Sequence, residues 1–98
     1  MPYVTIATPP FPTIEQFDAV CAQFGGEPDG QHARYAGMVD GKPRVVAVWE
    51  SKAAADRFLT EVLRPAIAGA IGPDAGRPEV LAFDALRSKV REPASAGQ

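Results

Sequence analysis

Three residue types with distinctive chemistry are almost missing from this chain: it has one cysteine, one histidine and one tryptophan in 98 residues. A single cysteine excludes an internal disulfide. With only one histidine beside it, a structural zinc site within one chain is nearly excluded too, and no metal or cofactor is expected. No basic run or acidic block occurs, and the formal net charge is -2. Nucleic acid rewards a concentrated positive patch, so neither DNA nor RNA is an expected partner. Long apolar runs are also missing. Stretches such as Val45–Trp49 fall far short of the roughly 20 residues that span a bilayer, so no membrane partner is expected. The first residues, Met1-Pro2-Tyr3-Val4, lack the charged start and apolar core of a secretory signal, which makes the cytoplasm the expected compartment.

What remains is an ordinary globular composition, 46% apolar and 22% charged, at the length of one domain. Tyr3–Thr8 (YVTIAT) reads as a strand. Thr13 and Gln16 have the spacing of a capping box, and Ile14, Phe17, Cys21 and Phe24 follow at helical intervals up to Gly25-Gly26. His32–Val39 and Lys42–Trp49 are strands joined by Asp40-Gly41, a pair suited to a two-residue hairpin turn. Ser51 caps a second helix with Phe58, Leu63 and Ile67 on its apolar stripe, which Pro65 should bend. Gly72-Pro73 stops it, and Glu79–Leu86 forms a last strand. The order βαββαβ is the ferredoxin-like one: α+β, a four-stranded antiparallel sheet with strands one and three central, and helices on one face. Residues 1–87 make this domain, and 88–98 form a polar, mobile tail.

A two-residue turn at Asp40-Gly41 fixes a register. It sets Arg34 opposite Ala47, Ala36 opposite Val45, and His32 opposite Trp49. His32, Arg34 and Trp49 then share a face, which is assigned to the helices, with small Ala36 and Ala47 leaving room for a cavity. The opposite face carries Ala33, Tyr35, Gly37, Val46 and Val48 and is almost wholly uncharged. Strand three is therefore apolar on both parities, so the second face wants a cover. A second copy of the chain is the simplest one. A bulge in strand two would shift the register and dissolve the His32–Trp49 pair.

The segment Val48-Trp49-Glu50-Ser51, followed by Ala55 and Phe58, resembles the dimeric α/β-barrel superfamily, which includes antibiotic-biosynthesis and haem-degrading monooxygenases. The resemblance spans most of residues 3–86. It implies a homodimer and a small-molecule pocket between sheet and helices. The haem-degrading branch also has a strand-one Asn, where this chain has Ala7, and a helix-two His, which this chain lacks. Only Trp49 matches that branch, so haem degradation is not implied. The cofactor-independent oxygenases act on activated phenols or quinols whose anions react with oxygen directly, so that the protein need only bind and deprotonate.

On this reading His32 is the catalytic base, Arg34 an anion clamp and Trp49 a stacking wall for a small aromatic ligand. Each has a plainer reading: a solvated strand-start histidine, a solvated or intersubunit arginine, and a core tryptophan at a strand end. Cys21, on an apolar helical stripe, reads as a buried inert thiol. Asp84 either pairs with an arginine across an interface or marks a wet edge. The alternative for the whole chain is a non-catalytic domain that serves oligomerisation or ligand binding.

Overall fold

Local signals fix the ends of the elements. In the computed structural model, which describes residues 2–26, 28–87 and 89, Thr13 Oγ1 accepts the Gln16 N–H at 3.1 Å. Gln16 Oε1 in turn accepts the Thr13 N–H at 3.3 Å, which closes the capping box. Ser51 Oγ caps the second helical stretch by accepting the Ala54 N–H at 3.1 Å. The elements are β1 (Tyr3–Thr8), α1 (Ile14–Phe24), β2 (Gln31–Val39), β3 (Lys42–Trp49), α2 (Lys52–Arg57), a π-helical segment (Phe58–Leu63), α3 (Arg64–Ala70) and β4 (Glu79–Asp84). The last strand is two residues shorter than its apolar run suggests, although the Ala85 N–H still donates to Pro2 O at 2.8 Å. Apart from Lys89, the tail read at 88–98 lies outside the described residues.

Residues 52–70 form one continuous helical rod, because the junction residues Arg57, Phe58, Leu63 and Arg64 all keep right-handed helical angles. Pro65 acts on this rod through a change of hydrogen-bond register. The Arg64 N–H reaches five residues back, to Leu59 O. The wider π turn before the proline carries the irregularity that Pro65 was expected to cause.

The strands form an antiparallel sheet in the order β2-β3-β1-β4. Its pairing sorts the side chains into rows. On one face lie Ala33–Val48–Val4–Phe83 and Tyr35–Val46–Ile6–Leu81; on the other lie Arg34–Ala47–Thr5–Ala82 and Gln31–Trp49–Tyr3–Asp84. The helices cover the second face. Ala47 and Trp49 of β3 are buried with Ala54, Ala55 and Phe58 of the rod. A second cluster joins Phe11 and Val20 to Ala66 and Ile67, and Phe24 and Leu63 touch both. Among the described residues, no helix is long and apolar enough to cross a membrane.

Two local constraints meet in β2 and disagree by one residue. Asp40 (φ 51°) and Gly41 (φ 78°) form the two-residue turn that pairs Val39 with Lys42, and this register runs unbroken to Ala33 opposite Val48. At the other end, the Gln31 N–H closes a turn on Pro28 O at 3.2 Å, with Gly30 at φ 82°. Gly30 O accepts the Glu50 N–H at 2.8 Å, and a Cβ on Gly30 would lie 2.7 Å from Ala54 Cβ. This second anchor pairs Gln31 with Trp49. A one-residue bulge at His32 absorbs the mismatch.

Candidate functional site

The bulge changes the composition of the site. His32 does not face Trp49: it is exposed and does not line the cavity between sheet and helices. Gln31 takes its place opposite Trp49 and lines that cavity. The predicted His32–Arg34–Trp49 cluster is therefore corrected to Gln31–Arg34–Trp49. Beyond the bulge the hairpin register holds, so Arg34 faces Ala47 on the helix side. Ala36 shares that side but is exposed and outside the cavity.

The cavity lies under the helical layer, with Ala47 as its small floor residue and Thr5, Cys21, Gln31 and Arg34 as its polar lining. Aromatic rings wall it. Trp49, 1% exposed, packs on Phe58 at 5.0 Å between ring centroids, and Phe24 meets Phe58 edge-on at 5.5 Å. The Trp49 indole Nε1 donates to Thr5 Oγ1 at 3.0 Å, which satisfies the one buried polar side chain of β1. The indole plane is thus locked, as a wall must be.

Arg34 carries the unusual electrostatics. Its guanidinium carbon lies 5.7 Å from the centroid of the Phe24 ring, within cation–π range. Its Nη1 is buried with no hydrogen-bond partner among the described residues. A desolvated guanidinium N–H without an acceptor is costly, and a negatively charged ligand oxygen would relieve that cost. Cys21 is half-buried beside it. Burial pushes this thiol above its ordinary range, while Arg34 pulls it down and Asp18 pushes it up. The thiol is held protonated, which fits the inert reading. Asp84 sits exposed on the edge strand β4, level with Tyr3.

The cavity holds about 60 Å³. That is less than half of the roughly 150 Å³ that admits a benzene ring. A planar ligand therefore needs side chains at the wall to move aside. The π segment supplies Phe58, Leu59 and Leu63 to that wall, and its wide turn is the irregular part of the rod.

Sequence reasoning missed Gln31 and Thr5. For Gln31 the sequence held only a partial signal: Pro28-Asp29-Gly30 is a turn sequence that marks where β2 begins but not which residue faces Trp49. Thr5 carried no such signal, since its role depends on a diagonal contact across β1 and β3.

The sequence matches no protein-family model and no curated protein. Solved structures do match. A protein of unknown function from Nitrosomonas europaea aligns at TM-score 0.61 and 13% identity, covering 94% of this chain and 95% of its own. A monooxygenase from the gene ActVA-Orf6 of Streptomyces coelicolor, in complex with nanaomycin D, aligns at TM-score 0.54 and 23% identity, covering 93% and 92%. The cofactor-independent oxygenase SnoaB of Streptomyces nogalater aligns at TM-score 0.57 and 21% identity, covering 93% and 96%. Over nearly its whole length, this chain shares the ferredoxin-like fold of these solved structures.

Proposed function

We propose that the chain binds a small aromatic anion, a phenolate, between its sheet and its helices, and acts on it as a cofactor-independent monooxygenase. One observation carries this reading: Arg34, whose Nη1 is buried and without a partner among the described residues, lines a mostly apolar cavity walled by Trp49, Phe24 and Phe58. Apolar walls select a ring, and a lone desolvated cation selects a negative oxygen on it.

The chemistry asks little more of the protein. Arg34 stabilises the phenolate over the phenol, so the proton leaves to solvent. An electron-rich phenolate reduces dioxygen itself: a ring C–H becomes C=O, one oxygen atom enters the product and the other leaves as water. Gln31, opposite Trp49, is placed to hydrogen-bond the ligand in the position first expected for His32. His32, exposed at the bulge, is not the base in this mechanism.

We further propose that two copies pair through the uncovered sheet face. Its apolar rows cross all four strands, with Tyr35, Leu81 and Phe83 exposed at 67%, 66% and 47%. A patch of this kind, continuous rather than scattered, marks an interface.

The second reading, a binding domain without catalysis, is favoured by one observation: among the described residues, no His, Asp or Glu lines the cavity. Oxygen uptake separates the two. With an electron-rich dihydroxynaphthalene, the enzyme reading requires protein-dependent oxygen consumption that Arg34→Gln lowers and His32→Ala leaves intact. Quenching of Trp49 without oxygen uptake supports the binding reading. Neither signal, from folded protein, removes both.

A further inference from the structure

A second depression opens beside the cavity. It is an open groove of about 550 Å³ between the helical rod and β4, floored by Val80 and bounded by the loop through Gly72 and Pro78. Leu59, Ile67 and Pro78 line both the groove and the cavity, so the two spaces are separated by a single layer of side chains. Two arginines, Arg64 and Arg77, stand on the groove, and no Asp or Glu among the described residues lines it. Among the described residues neither arginine forms an ion pair. The π turn explains how Arg64 comes to be there. Its N–H bonds to Leu59 O, so the wider turn carries Arg64 round towards the side of Leu59, whereas a residue five along an α-helix would point well away.

We infer that this groove is the mouth of the cavity, and that Arg64 and Arg77 recognise an acidic substituent, a carboxylate, at the far end of the aromatic ligand. This rests on the cavity reading and narrows its ligand class to aromatic carboxylic acids bearing a phenol. The phenolic end passes Leu59, Ile67 and Pro78 towards Arg34, and the carboxylate stays in the groove. Arginine suits that task because its planar donor fork matches a carboxylate. The exposed position of both arginines limits the gain to a modest, salt-sensitive one. A layer of two aliphatic side chains and a proline is also the kind of partition that a ligand can displace, as the 60 Å³ cavity requires.

Quenching of Trp49 tests this with two probes, naphthol and the naphthol that carries a carboxylate on the ring distal to its hydroxyl. The acid should bind about two- to fivefold more tightly than naphthol at low salt, the range for an exposed charge pair. The advantage should shrink as salt is added, and it should vanish in the Arg64→Gln/Arg77→Gln double variant while naphthol affinity stays unchanged. Both arginines are exposed, so the variant should fold, and circular dichroism verifies that it does. Equal binding of both probes to the wild-type protein overturns the mouth and leaves the cavity standing. An advantage that survives the double variant also overturns it. If neither probe binds folded protein, cavity and mouth fall together.

Discussion

The indole N–H of Trp49 is held by the Thr5 hydroxyl at 3.0 Å, across two neighbouring strands and inside the core. Thr5→Val keeps the shape and removes the acceptor. It should cost about 1–3 kcal/mol, the desolvation cost of a buried donor left unpaired. Urea titration measures it. The loss should be much smaller in a Trp49→Phe background, where there is no N–H to satisfy. Equal losses in both backgrounds would show that the bond contributes nothing specific.

Gly30 and Gly41 both have positive φ, but only Gly30 is crowded. Gly41→Ala should cost about 1–2 kcal/mol, the left-handed penalty of a side chain in open space. Gly30→Ala adds a collision with Ala54 Cβ to that penalty, and overpacking of this kind costs a further 1–3 kcal/mol or so. It should also loosen the bulge, seen as faster amide exchange at Gln31 and Glu50. Equal costs at the two glycines would refute the close approach.

Phe58 joins the rod to Trp49 and Phe24. Phe58→Ala should cost about 3–5 kcal/mol, the range for deleting a buried phenylalanine. Trp49 emission should shift to the red as water reaches the ring. A loss below about 1 kcal/mol would mean that the site collapses around the deletion.

Cys21 gives the folded state an alkaline dependence. Burial raises its thiol above the unfolded value, so its contribution is intact below the unfolded pKa and is lost as pH rises through the folded one. Denaturation followed from neutral pH to above the thiol range should therefore show a steeper decline in the wild type than in Cys21→Ala. Arg34→Gln removes the neighbour that pulls the thiol down, and alkylation of Cys21 should become slower still. Faster alkylation in that variant would contradict the placement of Arg34 beside the thiol.

The uncovered sheet face predicts association. Light scattering should give a mass near twice the 10.4 kDa of the chain, and a charge placed mid-face, Val46→Lys, should return it to one chain's mass. A wild-type monomer at tens of micromolar would end the pairing proposal.

Elements with local causes were legible in the residues. The Thr13–Gln16 box, the Ser51 cap and the Asp40-Gly41 turn each act within a few residues, so the sequence by itself determined where α1, α2 and the β2–β3 hairpin begin and turn. The period-two pattern of β3 likewise determined that Ala47 and Trp49 share one face and Val46 and Val48 the other. Tertiary structure alone decided what stands opposite Trp49. The turn at Asp40-Gly41 fixes one register, and the packing of Gly30 against Ala54 and Glu50 fixes another, one residue away. A strand whose two ends are anchored out of step must bulge between them, and the bulge put Gln31 in the cavity and His32 in water. No pattern within β2 records that conflict, because one of its two anchors lies on the rod that follows β3.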